Sequence, residues 1–467
     1  MQQALSLRET IGALQDKRYL PIFLFGFCSG FPWVLHGSVL TIWLQEAGLT
    51  RTMIGAVGII GTMYAVNWIW APLVDQFRLP LLYKHFGQRR SWILLCQAGI
   101  ALLLIAISFG DPGTNLAYIG LIALGIATLS ATQDIAIDAY RINIFRRDEF
   151  DQKMPYAAAM STIGWYAGFG FIGGALALYL GGETVGMDWS GVYRVLVLFY
   201  VVLLLLVTLA PEPELVESET TSAANTELSK PKTTPTTNPI LTTETLTSSL
   251  VKFFHQRIAT PFIEFFQRCG FQLAISVLLL LLLFRLGEAM LGRMSLPFYI
   301  ELGFTVEQIS VYQKLFGGLL TAVFSVAGAM INTRFGVIRG LFVAGIAMSG
   351  ANLLFALLAT VGPNTNLLML ALVVDNFFQA FATVAIVSFI SYFTSRTFTG
   401  TQYALMASVS NFGRTTLASG SGAVIDFLNG NWALFFVLTT LMVIPGLCLL
   451  LWVGKLMKSH STAHEST

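Results

Sequence analysis

A row of polar side chains inside a long apolar segment is the part of this sequence best suited to chemistry. Ser130, Asp134 and Asp138 are spaced four residues apart near the end of an apolar segment that begins at Leu116. On a helix this spacing places all three on one face. Carboxylates are costly in hydrocarbon, so both acids should face other protein or a wet cavity. This polar stripe (Ser130, Asp134 and Asp138) therefore predicts a proton relay or a gate.

The two acids of the polar stripe have different expected roles. Asp138 lies at the predicted cytoplasmic rim, where pairing with Arg141 would make it part of an inner gate. Asp134 lies deeper in the same segment, next to Gln133, and is the better candidate for carrying a proton.

Composition indicates a membrane protein with many spans. The chain has 467 residues, of which 55% are hydrophobic and 11% charged, and its mean hydropathy is +0.70. Soluble domains carry on the order of 25% charged residues. No nucleophile elbow, zinc-protease motif or phosphate-binding loop is present, and the four cysteines lack metal-ligand spacing. We therefore expect no enzyme, no metal, no cofactor and no nucleic-acid partner.

Twelve apolar segments approach the length of about 20 residues that a helix needs to cross a bilayer. They form two sets of six, separated by a long polar stretch. We number them spans 1 to 12 in chain order: 20–44, 53–74, 91–109, 116–140, 155–180, 192–210, 273–291, 306–331, 337–360, 367–392, 404–428 and 432–453.

The sequence predicts two bundles joined by a cytoplasmic linker. Residues 20–210 form the N-terminal bundle and residues 270–454 the C-terminal bundle, with short cytoplasmic segments at 1–19 and 455–467. The linker, 211–269, is expected to be disordered at first and then to form an amphipathic helix on the inner leaflet. The alternative is that this helix simply extends span 7. Most Lys and Arg residues fall on one side, which places both termini in the cytoplasm.

Six plus six spans with a long central linker is the layout of the major facilitator superfamily, which the chain resembles. The predicted fold class is all-α, with twelve transmembrane helices in two six-helix bundles. The loop after span 2, with Asp75, Arg89 and Arg90, resembles the basic loop of that superfamily. We expect these three residues to form the inner gate together with Asp138 and Arg141.

Span 1 contains Gly26, Gly30 and Pro32, followed by Trp33 and His36. Glycine and proline in a membrane helix permit close packing and a kink. A broken helix that lines a substrate site and an ordinary, tightly packed helix both fit this pattern. His36 is either a group that titrates near neutral pH or a hydrogen-bonded structural histidine.

The C-terminal bundle contains charges at similar predicted depth. On span 7, Arg285 and Glu288 lie three residues apart on one face. This pair is either a switch that substrate or proton opens, or a permanent ion pair that locks helices together. The other members are Lys314 on span 8, Asp375 on span 10, and Asn411 and Arg414 on span 11. Charges at one depth predict a shared polar cavity.

Several motifs together resemble the AmpG family of muropeptide permeases, from about residue 26 to residue 450. The segment 399–405, Thr-Gly-Thr-Gln-Tyr-Ala-Leu, followed by Asn411 and Arg414, resembles the family's T-x-T-Q-[FY]-A-L and G-R elements. Further matches are Gln133-Asp134-Ile135 with Asp138, Arg285-Leu286-Gly287-Glu288, and Lys314 before two glycines.

This resemblance implies proton-driven import of anhydromuropeptides, which are cell-wall turnover fragments, across the bacterial inner membrane by a monomer in the lipid bilayer. The expected proton-coupling residues are Asp134, Glu288 and Asp375. The expected substrate-binding residues are Arg285, Lys314, Arg414, Trp33, His36, Gln133 and Asn411, with aromatic walls such as Trp165 and Tyr166. Siderophores or other bulky anions are the alternative substrates. A membrane sensor that no longer transports is the alternative from another class.

Overall fold

The computed structural model describes residues 16–49, 58–182, 185–213, 259–304 and 317–465. Across these ranges the chain is helical and contains no strand. Nine helices of the described ranges are long and apolar enough to cross a membrane. The predicted beginnings of spans 2 and 8 and most of the linker, 214–258, lie outside them.

The N-terminal half contains spans 1 to 6. Span 2, residues 58–76, is broken into short α and 3₁₀ turns, of which Met63–Val66 and Ala71–Gln76 are α-helical. The other five spans are Tyr19–Glu46, Leu82–Ile107, Leu116–Asn143, Arg147–Gly181 and Trp189–Leu209.

The C-terminal half begins after a short linker helix, Thr260–Cys269. Among the described residues of this half, three spans are interrupted. Span 7 consists of Phe271–Leu283 and Leu286–Leu302, span 11 of Thr399–Thr415 and Ser421–Phe427, and span 12 of Trp432–Leu441 and Val443–Glu465. The described part of span 8 is Gly317–Phe335, and spans 9 and 10 are Val337–Val361 and Thr365–Phe393.

Several spans begin at a side-chain cap that the sequence provides. Asn115, Asp188, Asn364 and Asn431 each accept a hydrogen bond from a backbone N–H in the first turn of spans 4, 6, 10 and 12. These caps satisfy donors that a helix start leaves free, which fixes where each span begins.

Glycines bring spans 1 and 5 into direct backbone contact. A methyl group on Gly26 or Gly30 would collide with the carbonyl oxygen of Ser161 or Trp165 on span 5, and Gly164 would likewise meet span 1. Small residues permit such close approach of membrane helices. The glycines of span 1 therefore serve tight packing, which was one of the two alternatives.

The halves meet along spans 2, 4 and 5 on one side and spans 8, 10 and 11 on the other. Span 11 packs against spans 2 and 4, whereas span 5 packs against spans 8 and 10. The polar stripe of span 4 and the charges of the C-terminal half therefore lie on opposite sides of this seam.

Candidate functional site

The polar stripe of span 4 lies inside the N-terminal half and keeps part of its surface exposed. The Asp138 side chain keeps 25% of its surface exposed, and Asp134 is also partly exposed. The Ser29 hydroxyl of span 1 faces the Asp134 carboxylate. One carboxylate oxygen of Asp134 and the Ser130 hydroxyl are buried and form no well-aligned hydrogen bond with any described residue. Buried polar atoms of this kind recruit water.

Gln133 donates a hydrogen bond to a backbone carbonyl that Pro32 leaves without a donor on span 1. Proline lacks the N–H that would bond to the carbonyl four residues earlier, which here belongs to Cys28. The Gln133 amide fills this role, because its Nε2 donates to the Cys28 carbonyl at 2.8 Å. This bond places the neighbouring Asp134 against span 1. A role of Gln133 in substrate binding stays a prediction.

His36 lies in a π-helical turn of span 1, Val34–Val39, and is joined to span 2. Its Nε2 is 3.0 Å from the Tyr64 hydroxyl, and both side chains are buried. The Tyr64 ring stacks near Trp33 at 4.3 Å between centroids, and Trp33 also contacts Trp165 of span 5 at 6.4 Å. π-Turns within membrane and soluble helices often mark functional sites.

At its other end the polar stripe reaches the C-terminal half. Asp138 forms a salt bridge of 2.8 Å with Arg141, and Arg141 also donates to the Ser161 hydroxyl at 3.3 Å. The Arg141 guanidinium lies over the ring of Tyr403 on span 11, 5.0 Å from its centroid. Such a contact between a cation and a ring face is attractive. Arg141 therefore connects the polar stripe to the seam between the halves.

Asp75 closes the seam at the predicted cytoplasmic end. Its fully buried carboxylate accepts hydrogen bonds from the backbone N–H groups of Gly400 and Thr401, at 2.9 and 2.6 Å, and from Arg89 at 2.8 Å. The first two groups belong to the first turn of span 11, where a negative charge is favoured. A methyl group on Gly400 would lie 2.9 Å from Asp75 Oδ1, so this approach requires glycine.

Arg89 and Arg90 also hold the start of span 3 against the end of span 6. The Glu212 carboxylate accepts the backbone N–H of both arginines, and Arg90 donates to the carbonyl oxygens of Thr208 and Ala210. Burial raises the pKa of Glu212 above its ordinary value. Arg90 therefore stabilises contacts between spans 3 and 6 within the N-terminal half. In this network it contacts no described residue of the other half.

Further contacts across the seam fall at the same end. The Ser408 hydroxyl of span 11 donates to the Asn67 side chain of span 2 at 3.0 Å, and Thr399 donates to Asn143 at 2.9 Å. Arg396, in the turn before span 11, donates to the carbonyl oxygen of Asn143 at 3.0 Å. The described conformation is therefore closed at the predicted cytoplasmic end.

The linker helix docks on this closed end. Gln402 of span 11 donates to the Pro261 carbonyl at 3.0 Å and accepts a hydrogen bond from Arg268 at 3.0 Å. The Phe262 ring meets Trp68 of span 2 edge-on at 5.9 Å. The linker helix thus touches both halves, through Gln402 of span 11 and Trp68 of span 2.

In the C-terminal half, a break in span 7 positions an ion pair. Arg285 has non-helical backbone angles between the two helical segments, and Glu288 lies in the first turn of the second segment. Two hydrogen bonds join them, of 2.7 and 3.0 Å, and Arg285 also donates to Thr383 of span 10 at 3.1 Å. Discontinuous helices of this kind often build transporter binding sites.

Asp375 and Arg414 complete a charge cluster with Arg285 and Glu288. Asp375 accepts a hydrogen bond from Gln379 at 3.0 Å, and its other carboxylate oxygen has no hydrogen-bond partner among the described residues. Arg414 keeps an exposed surface and forms no salt bridge within the described ranges. All four charges lie within electrostatic range of Tyr166 on span 5 of the other half. The charge cluster (Arg285, Glu288, Asp375 and Arg414) therefore faces the seam.

Sequence reasoning placed most of these residues on their helices but missed their partners. Lys314 lies outside the described residues, so its predicted place in the charge cluster stays a prediction. Asn411 lies on span 11, three residues before Arg414. The partners Tyr64 and Thr383 carried no signal of their own, because a lone hydroxyl in an apolar segment resembles ordinary packing. Tyr403 lies in the segment 399–405 that resembles the AmpG family, but the sequence did not indicate its contact with Arg141.

Comparison with known proteins decides the family. The family model described as Major Facilitator Superfamily matches residues 22–298. The chain is 31% identical to AmpG 4 of Rickettsia felis over 442 residues, which cover 94% of this chain and 97% of that protein. The chain belongs to the major facilitator superfamily, as an AmpG-like permease. A further relative is the anhydromuropeptide permease of Escherichia coli K12, 27% identical over 94% of the permease described here and 80% of its own length.

Solved structures show the same fold. The human organic anion transporter MFSD10 superposes with a TM-score of 0.62 at 16% identity, covering 93% of this permease and 98% of that chain. The proton:xylose symporter XylE gives a TM-score of 0.62 at 13% identity, with 96% of both chains covered. The predicted all-α fold of twelve membrane helices in two bundles is confirmed, and the permease is a transporter, not an enzyme.

Proposed function

We propose that this permease imports anhydromuropeptides across the bacterial inner membrane by proton symport, with both termini in the cytoplasm. The charge cluster is the observation that carries the proposal. It holds two guanidinium groups beside the aromatic side chain of Tyr166, between the two halves. The E. coli relative, named an anhydromuropeptide permease, supports the choice of substrate.

The chemistry of the charge cluster suits such a ligand. Peptide carboxylates would pair with Arg414 and Arg285, since guanidinium groups bind carboxylates with two parallel hydrogen bonds. The aromatic side chains Trp33, Trp165 and Tyr166 form one continuous row, with Trp165 and Tyr166 at 5.1 Å, and offer faces for sugar rings. Such a site combines oriented polar groups with apolar walls, as ligand pockets usually do.

Binding would alter the pairing within the charge cluster. Arg285 is held by Glu288 in this conformation. A substrate carboxylate competing for Arg285 would free Glu288, and the two arrangements would then favour different positions of spans 7 and 11. A ligand shifts a conformational equilibrium only through such differential contacts. The gate at Asp75, Arg89, Asp138 and Arg141 would open when the arrangement with Glu288 released becomes the more stable of the two.

Protons would bind in the N-terminal half. Asp134 has no cation within hydrogen-bonding distance among the described residues, unlike Asp138 and Glu288. A carboxyl group in such a place can bind and release a proton without breaking an ion pair. The coupling roles predicted for Glu288 and Asp375 in the other half stay predictions, and Asp134 is the proton site proposed here.

Uptake into proteoliposomes tests the proposal. We expect radiolabelled N-acetylglucosaminyl-anhydro-N-acetylmuramyl peptide to accumulate when the outside is acidic, and a protonophore to abolish the accumulation. Accumulation that survives the protonophore would remove proton symport. Competition by a ferric siderophore with no muropeptide uptake would instead favour the alternative substrate, a bulky anion. Binding without any transport would favour a sensor.

A further inference from the structure

We propose that protons reach Asp134 from the outer side through His36 and Tyr64, so that the proton route lies wholly within the N-terminal half. This inference rests on the proposed proton symport and adds its path. The direct observation is the hydrogen bond between two buried side chains, His36 Nε2 and the Tyr64 hydroxyl, at 3.0 Å.

The route continues from Tyr64 along the polar stripe. The Ser130 hydroxyl of span 4 lies within electrostatic range of the Tyr64 hydroxyl, and so does Asp134. Ser130 and Asp134 are one helical turn apart on the same face. One buried oxygen atom on each side chain forms no well-aligned hydrogen bond among the described residues, and these atoms provide places for bridging water. Donors and acceptors therefore follow one another from span 1 through span 2 to span 4.

Each transfer moves one proton and restores the next donor. His36 Nδ1 accepts a proton from the outer side, and His36 Nε2 releases its own proton to the Tyr64 oxygen. The Tyr64 hydroxyl proton passes to the Ser130 oxygen, and the Ser130 proton passes to the Asp134 carboxylate. His36 is left as the other neutral tautomer, which ring rotation resets. No charge remains on Tyr64 or Ser130.

The proposed exit for the proton lies at the closed cytoplasmic gate. Asp138 is one turn beyond Asp134 and is held by Arg141, which contacts Tyr403 of the other half. Opening of the seam would separate Arg141 from Tyr403 and change the charge next to Asp134. The other titratable side chains within electrostatic range of Asp134 are Tyr64, Cys96, Tyr200 and Tyr403. Only Tyr64 among them touches a histidine.

Hydrogen–deuterium exchange of Asp134 tests the route without any substrate. The infrared carbonyl band of the protonated Asp134 carboxyl, identified by its loss in Asp134→Asn, is followed after transfer of the purified permease into D₂O. We expect Tyr64→Phe and His36→Gln to slow exchange at least about tenfold, since both remove a proton-transfer group. Tyr193→Phe is the matched control, because the Tyr193 hydroxyl is buried in the same half but donates to the Leu35 carbonyl at 2.6 Å.

Exchange at the wild-type rate in both Tyr64→Phe and His36→Gln overturns the route, and so does equal slowing in Tyr193→Phe. The absence of any band that Asp134→Asn removes would instead overturn the proposed role of Asp134. Proteoliposome uptake separates a route from a structural role. Tyr64→Phe should lower pH-driven accumulation at least about tenfold while substrate counterflow stays within about twofold of wild type. Loss of both activities would show that Tyr64 is structural and overturn the proposal.

Discussion

Two buried sites of this permease, one in each half, hold charge in opposite ways. In the N-terminal half, Asp134 lies beside hydroxyl groups and has no salt bridge within the described ranges. In the C-terminal half, Arg285 and Glu288 share two hydrogen bonds at a helix break. A carboxyl group without a fixed cation can take up a proton, whereas a fixed ion pair can exchange partners with a charged ligand. We therefore propose that protons bind at Asp134 and the substrate anion at the Arg285–Glu288 pair.

Contacts across the seam between the halves show how movement at the gate could be coupled to movement at the charge cluster. Asp75 and Arg141 of the N-terminal half both contact span 11, through Gly400 and Tyr403. Span 11 also carries Arg414 of the charge cluster. A movement of span 11 would therefore change the gate and the charge cluster together, which a single rigid helix can achieve.

The largest expected effect follows from Asp134→Asn. The variant keeps the shape and polarity of the side chain but cannot exchange a proton, so pH-driven accumulation of anhydromuropeptide should fall by about a hundredfold or more. Counterflow driven by substrate alone should persist. Both rates are measured in the same proteoliposomes, with expression and reconstitution checked by immunoblot. Normal accumulation would end the assignment of protons to the N-terminal half.

Glu288→Gln examines the ion pair of the C-terminal half. Removing one partner of a buried pair leaves Arg285 unpaired and should lower the free energy of unfolding by about 3–5 kcal/mol. The double variant Arg285→Gln with Glu288→Gln should be more stable than the single variant, because no uncompensated charge remains. Denaturant unfolding in detergent measures both. A double variant less stable than Glu288→Gln would contradict the pairing.

Asp75→Asn examines the gate that joins the halves. The Asp75 carboxylate accepts two backbone N–H groups at the start of span 11, so its neutralisation should favour opening of the cytoplasmic end by about 1–3 kcal/mol. Maleimide labelling of Ala404→Cys in a Cys448→Ser background reports the opening, since Ala404 is buried on span 11. Asp111→Asn, an exposed acid in a loop, is the control. Unchanged labelling in Asp75→Asn would remove Asp75 from the gate.

The smallest effect is expected at Asp16, which lies away from both the polar stripe and the charge cluster. Hydrogen bonds from Arg18 hold the pKa of Asp16 well below its usual value of 3.8. A lowered folded-state pKa stabilises the fold above the unfolded pKa, and this stability is lost as pH falls through the folded value. Asp16→Asn should therefore lower the unfolding temperature slightly at neutral pH and less in acid, without changing transport. A transport defect would show that coupling extends beyond the two regions.

The sequence was sufficient to predict the helices and to predict which polar side chains share one face of a helix. The period of Ser130, Asp134 and Asp138 predicted the polar stripe, and the spacing of Arg285 and Glu288 predicted their common face. Apolar length predicted the spans, and the glycines and Pro32 of span 1 predicted close packing or a kink.

Contacts between helices could not be predicted in the same way. The donor to the Cys28 carbonyl is Gln133, 105 residues away, and the partner of Asp75 is the start of span 11, about 325 residues away. Periodicity describes one helix at a time, whereas these contacts depend on how helices pack. His36 and Tyr64 were also separate in the sequence, and only the packing of spans 1 and 2 joins them.

The most direct test of the central claim is proton uptake on substrate binding. Purified permease in weakly buffered detergent is titrated with anhydromuropeptide while the pH of the solution is recorded. The account predicts that Asp134→Asn binds the ligand with near wild-type affinity but takes up no proton. Arg414→Ala should bind more weakly and still take up a proton for each ligand bound. Proton uptake that persists in Asp134→Asn, or disappears in Arg414→Ala at saturation, would contradict the division between the two halves.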